Sequence, residues 1–137
     1  MGASAHAAND SDYQPLIDKF FVKFEAGKIN EAIDEVYSTN PWAQQQKDMI
    51  QNIKAQFSGL GPLMGKYRGR ELVGTKRVGG RLVHVTYLAL YDRQPVRFEF
   101  QFYRPQESWV IYSFSFDTNL SDEVEAASRA EVARGGN

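Results

Sequence analysis

The chain has 137 residues, of which 42% are hydrophobic, 24% charged and 13% aromatic, with a formal net charge of −1. That mix excludes a disordered, collagen-like or low-complexity chain, and the near-zero charge excludes a globally basic nucleic-acid binder. There is no cysteine, so disulfides, thiol catalysis and cysteine-ligated metal sites are impossible.

Residues 1–12, MGASAHAANDSD, are small and polar and carry no apolar period. Ala5-His6-Ala7 fits the small-x-small pattern of a signal-peptidase site. One reading is a mature exported protein, periplasmic or secreted; the other is a chance alanine-rich tail on a cytoplasmic chain. Leu16, Ile17, Phe20, Phe21 and Phe24 then recur at helical spacing, with Asp12 as N-cap, Pro15 in the first turn and Gly27 at the stop. Ile29, Ala32, Ile33, Val36 and Tyr37 share the face of a second, short helix. Asn40-Pro41 opens a third, which carries Met49, Ile50, Ile53, Phe57 and Leu60 and ends at Gly59, Gly61 and Pro62.

After Gly65 the period changes from 3.6 to two. Strands are predicted over 67–78, 81–92, 96–104 and 109–117, with turns at Gly79-Gly80, Asp92–Pro95 and Pro105–Ser108. Residues 121–137 offer Ser121 as N-cap and Asp122 and Glu123 in a first turn, but only Val124 and Val132 as large aliphatics, which predicts a frayed helix or a loose tail. The reading is one α+β domain over 13–120, with three N-terminal helices on one face of a four-stranded antiparallel meander. No apolar run approaches the ~20 residues of a membrane helix.

Hairpin turns fix register, and opposite residues share a face. Even-length turns place Ala89 opposite Phe98, Tyr87 opposite Phe100, Ser113 opposite Phe100, Ser115 opposite Phe98 and Asp117 opposite Val96. The Gly79-Gly80 turn places Gly74 opposite Val85 and Leu72 opposite Tyr87. The helix-side face is then Leu72, Val83, Val85, Tyr87, Tyr91, Phe98, Phe100, Phe102, Trp109 and Ile111, with small residues between them. The outer face holds Thr75, His84, Leu88, Leu90, Arg97, Glu99, Gln101, Tyr103, Tyr112, Phe114 and Phe116. That is more aliphatic and aromatic area than a monomer leaves wet, so it predicts a homodimer through Leu88, Leu90, Glu99, Tyr112, Phe114 and Phe116.

The opening amphipathic helix, the run Gly27-Lys28-Ile29-Asn30-Glu31-Ala32 and the closing strand Trp109-Val110-Ile111-Tyr112-Ser113-Phe114-Ser115-Phe116-Asp117 resemble the nuclear transport factor 2-like, or cystatin-like, superfamily. The closing strand is similar to exported bacterial members. The resemblance covers residues 13–117. It implies a curved sheet folded over a helix, a conical pocket between them, frequent homodimers through the sheet, and functions that range from ligand binding to isomerases and dehydratases.

A pocket ringed by Tyr87, Tyr91, Phe98, Phe100, Trp109, Ser113, Ser115 and Asp117 follows from the pairing. The function expected is a non-enzymatic module that binds a small apolar ligand or a protein. The alternative is an isomerase or lyase using Asp117 with a pocket tyrosine, which needs the carboxylate in an apolar cavity facing the phenol. Asp117 with Thr118 and Asn119 also fits a plain strand-end turn. No catalytic residue, metal or cofactor is assigned: His84 has no partner at ligand spacing, and no Gly-rich phosphate loop runs from a strand into a helix. Residues 66–104 are basic, but their arginines and lysines gather on the first strand and at strand ends, where such residues protect an edge, so nucleic acid is not the expected partner.

Overall fold

The computed structural model describes residues 13–135; Asp12 and Ala5-His6-Ala7 lie outside the described residues. Helix α1 (Gln14–Glu25) buries Ile17, Phe20, Phe21 and Phe24, the stripe its spacing predicts. Pro15 sits in the first turn, where its missing N–H breaks no helical bond. Gly27 follows the helix at φ +83, a conformation that favours glycine. Helix α2 (Ile29–Ser38) buries Ala32, Ile33, Val36 and Tyr37.

Where the spacing predicts one helix after Asn40, there are two. Asn40 caps a short α3 (Pro41–Gln44), its side-chain oxygen accepting from the N–H groups of Trp42 and Ala43 at 3.0 and 3.4 Å. The chain leaves helical geometry at Gln46 (φ −96, ψ 64) and re-enters it as α4 (Lys47–Met64). The break re-aims α4 so that Ile50, Phe57 and Met64 reach the core. That heptad spacing also explains why α4 runs past Gly59, Gly61 and Pro62, the expected terminators: Met64 anchors one more turn. Gly65, at φ +87, stops it. A Cβ at Gly65 meets the Asp92 Cβ at 3.2 Å and the Arg93 Cγ at 3.4 Å. Gly65→Ala is therefore expected to cost at least ~1 kcal/mol through strained φ and crowding together. An unchanged urea midpoint contradicts this.

Strands β1 (Tyr67–Val78), β2 (Leu82–Tyr91), β3 (Pro95–Tyr103) and β4 (Val110–Asp117) form one antiparallel sheet in sequence order. Between β2 and β3 the partners are Tyr87↔Phe98, Val85↔Phe100 and Val83↔Phe102, two residues off the expected register. A slip of two keeps every side chain on its face. Single-residue offsets in the two outer pairings do not. One is at the β1–β2 turn, which holds Gly79, Gly80 and Arg81 rather than two residues, so Val78 faces Leu82, Thr75 pairs with Val85 on the helix side and Gly74 with Thr86 on the outer side, the reverse of the expectation; an irregularity between Leu72 and Gly74 restores Leu72 opposite Tyr87, and another follows between Tyr67 and Gly69. The other offset lies between the Gln101 and Phe102 pairings, so β4 keeps Ile111 opposite Phe102 but pairs Phe114 with Phe100 and Phe116 with Phe98.

The chain ends in α5 (Ser121–Gly135), a helix rather than a loose tail, with Asp122 and Glu123 in its first turn. The described residues thus hold five helices, four of them before the sheet instead of the three expected. None is long and apolar enough to cross a membrane. The two sheet edges differ. At β4, the Ile111 N–H donates to Thr39 Oγ1 at 2.9 Å and Asn40 Nδ2 donates to the Ile111 carbonyl at 3.4 Å, so the loop after α2 covers the edge. At β1 almost every residue is exposed.

Candidate functional site

The helix side of the sheet is filled with rings. Phe98, Phe100 and Phe102 are fully buried. The Phe20 ring of α1 lies 5.4 Å from Phe100, 6.0 Å from Phe98 and 5.3 Å from Phe114. Phe57 of α4 lies 5.6 Å from Phe98 and 4.0 Å from Phe116. At the far end Tyr13 stacks on Phe102 at 5.0 Å and meets Trp109 edge-on at 5.6 Å. Such tilted and edge-on pairs are the favoured packing of aromatic quadrupoles.

The eight pocket candidates separate. Tyr87, Phe98, Phe100 and Trp109 belong to this packed core. Tyr91 lines a cleft of about 390 Å³ with Tyr67, Phe24 and Gly65, where burial pushes its phenol up to about 12. Ser113, Ser115 and Asp117 are not on the helix side at all: they pair with Gln101, Glu99 and Arg97 on the outer face. The same irregularity removes Phe114 and Phe116 from the expected interface. Phe114 is buried among Phe20, Phe98 and Phe100, and Phe116 packs against Phe57. The cause in both cases is the extra residue in β4, which turns Phe114 inward and Ser113 outward. The Asp117 carboxylate and the Tyr87 phenol therefore stand on opposite faces, and the acid–phenol pair that an isomerase or lyase needs is not brought together.

The outer face carries an ordered polar row instead. Gln101 Nε2 donates to His84 Nδ1 at 3.2 Å, and His84 Nε2–H donates to Glu99 Oε1 at 3.0 Å. Glu99 Oε2 lies 3.7 Å from Arg97 Nε. The Arg97 Nη2 donates to both Asp117 oxygens at 3.0 and 2.9 Å, and its Nη1 to both Asp122 oxygens at 3.1 and 2.9 Å and to Glu123 at 3.4 Å. One guanidinium thus faces four carboxylates, and its planar fork suits such bidentate pairing. Burial opposes the Arg97 charge, but its hydrogen bonds to Asp122 and Asp117 and the charges of Asp117 and Glu99 outweigh it, so its pKa is raised further. The Arg97 hydrogen bond holds the Asp122 carboxyl below its ordinary value. These bonds fix the first turn of α5 against the sheet.

No family model, curated protein or solved structure matches this chain.

Leu88 and Leu90 are half-buried around this row, while Tyr103 and Tyr112 are 41% and 60% exposed. Leu82, Tyr103 and Tyr112 line a shallow hollow at the far end. Of the expected interface residues, Leu88, Leu90, Glu99 and Tyr112 keep their place. The diagonal corner is basic. Lys76 stands beside His84 in the pairing, and Arg81 at the β1–β2 turn donates to the carbonyls of Arg104 and Gln106 at 2.9 and 3.0 Å. No group of His, Asp or Glu among the described residues is arranged to hold a metal ion.

Sequence reading placed Arg97 on the outer face but missed its role as the hub of the row. A lone arginine in the middle of a strand, flanked by Val96 and Phe98, was the available signal. It also missed the groove between α3 and β4, lined by Trp42, Met49, Ile53 and Tyr112, in which Trp42 is 76% exposed.

Proposed function

We propose that the chain is a non-enzymatic protein-interaction module of the nuclear transport factor 2-like (cystatin-like) type, and that a second copy docks on the outer face of its sheet. The observation that carries this reading is the contrast between the faces. Rings from α1 and α4 fill the helix side, whereas Leu88, Leu90, Tyr103 and Tyr112 stand on the side away from the main helix layer. A filled cone argues against the small-ligand branch, which keeps support only from surface clefts such as that beside Tyr91.

The second copy is favoured by the charges of the face. Its acidic corner, around Asp117, Asp122 and Glu123, lies diagonally across from its basic corner, around Lys76 and Arg81. A two-fold axis lying between crossed sheets sets each acidic corner on the partner's basic one, an isologous and closed arrangement. Export to the periplasm or beyond is proposed on Ala5-His6-Ala7 alone.

Sedimentation velocity tests the dimer. The 15.5 kDa chain is expected to sediment as a dimer at ~50 µM. Leu90→Arg and Tyr103→Arg, each on the outer face, are expected to give monomers whose melting temperatures stay within about 5 °C of the parent. A parent protein that is monomeric at this concentration contradicts the reading. So do variants that dimerise as before.

A further inference from the structure

Among the described residues, one edge of the sheet is left uncovered. The loop after α2 caps β4 at Ile111, while β1 is twelve residues long and exposed along nearly its whole length. An uncovered edge offers a row of backbone N–H and C=O groups to any strand that can approach. Its side chains decide which strand that is. Residues 66–81 carry Lys66, Arg68, Arg70, Lys76, Arg77 and Arg81 against a single acid, Glu71. Like charges opposite one another destabilise a strand pair, so this edge rejects a second copy of itself. An acidic strand meets the opposite condition.

We infer that β1 binds an extended segment of a partner protein that carries both acidic and aliphatic residues, adding it to the sheet as a fifth strand. The aliphatic share of that composition is called for by Leu72, Val73 and Val78, which are 53%, 46% and 59% exposed on β1. Such side chains gain most from aliphatic cross-strand neighbours. The cations are already held in place. Arg68 Nε lies 2.8 Å from Asp92, the Arg70 guanidinium lies 4.2 Å over the Phe21 ring, and that of Arg77 lies 5.9 Å over Tyr13. Their ordering is therefore not charged to the binding step. The added strand runs alongside Leu72–Val78 and is paired most regularly over Gly74–Val78, the longest stretch of β1 with unbroken register. Single-stranded nucleic acid is the other polyanion that fits the charge. It binds by stacking bases on exposed aromatics, and the exposed apolar side chains of β1 are all aliphatic. The inference concerns the edge of the sheet; it shares Lys76 with the proposed dimer face, and the backbone-methylated peptide separates the two because only edge pairing needs the peptide's N–H groups.

A labelled peptide of about ten residues alternating glutamate and valine, long enough to span such a strand, is the probe. Fluorescence anisotropy is expected to show saturable binding that weakens about 10-fold between ~50 and ~300 mM salt. Lys76→Glu, at an exposed position, is expected to weaken it a further ~5-fold or more. Amide exchange is expected to slow at residues 74–78 when the peptide is bound. Methylating alternate backbone nitrogens of the peptide is expected to abolish binding, and this control holds even if Lys76→Glu misfolds. No binding at ~100 µM peptide overturns the inference. So does equal binding of the methylated peptide or of a lysine–valine peptide, tighter binding of a thymidine oligonucleotide, or protection that appears away from β1.

Discussion

Truncation of Phe20 to alanine is expected to lower stability by about 3–5 kcal/mol, the range for emptying a large buried aromatic site. Phe20 is fully buried, and its ring lies 4.9 Å from Phe21 and 5.5 Å from Phe24, besides its contacts to Phe98, Phe100 and Phe114. It therefore ties α1 to both β3 and β4. The neighbours are themselves rings wedged against other rings, so the space left by truncation cannot close by small shifts. Against a total of about 5–15 kcal/mol for a domain, the variant is marginally folded. Urea unfolding with an unchanged m-value is the measurement. A loss below ~1.5 kcal/mol contradicts the solid packing of the cone, because an already wet or open cone loses less when one ring is removed.

The second large effect concerns Arg97. Arg97→Met keeps the side-chain volume but leaves Glu99, Asp117, Asp122 and Glu123 without their shared cation. The expected loss at neutral pH is about 2–3 kcal/mol, less than for a fully buried pair because Asp117 and Asp122 face water. The pH dependence separates this electrostatic loss from lost packing. In the parent, the Arg97 hydrogen bond lowers the Asp122 pKa below 3.8. A carboxyl lowered on folding contributes its stability above its unfolded pKa, and that contribution is lost as pH falls through the folded value. Acidification thus removes the Asp122 contribution from the parent, while the variant, lacking the Arg97 partner, has no such contribution to lose. The gap between the two proteins is expected to narrow from pH 7 to about pH 3. A gap that stays constant shows that Arg97 acts through packing alone. The α5 amides near Asp122 are also expected to exchange faster in the variant, since few other contacts hold that turn.

The elements were legible because the apolar period changes cleanly at Gly65 and because Gly27, Asn40 and the Gly79-Gly80 pair punctuate the chain. The faces of β2 and β3 were legible as well, because the register error there was an even number of residues. The failures at β1 and β4 follow one rule, that a single extra residue reverses parity. At β1 it is Arg81, which lengthens the Gly79-Gly80 turn to three residues; at β4 it lies inside the strand, where turn length carries no record of it. A signal was nevertheless present in β4. Ile111 and Phe114 are both large and apolar, yet three residues apart, so a regular strand cannot bury both. One irregularity at Tyr112 buries both and turns Ser113 and Ser115 outward. The burial of Arg97 was not legible, because it depends on α5, and α5 is held to the sheet by charge rather than by an apolar stripe. The candidate interface was legible only in its β2 half, Leu88 and Leu90, together with Glu99 and Tyr112.

The cap on β4 bears on how the chain assembles. Every strand pairs with its neighbour in sequence, so each hairpin closes a short loop. The bond from Ile111 to Thr39 joins residues 72 positions apart and spans almost the whole meander. Loop-closure entropy rises with such separation, which places this seam after the hairpins in the order of events. Until it closes, the sheet exists with both edges bare, and only β1 carries the density of cations that deters edge-to-edge joining. The interval between hairpin formation and the docking of Thr39 is thus the period in which newly made chains are open to misassembly through β4, and a faster seam is a direct protection against aggregation.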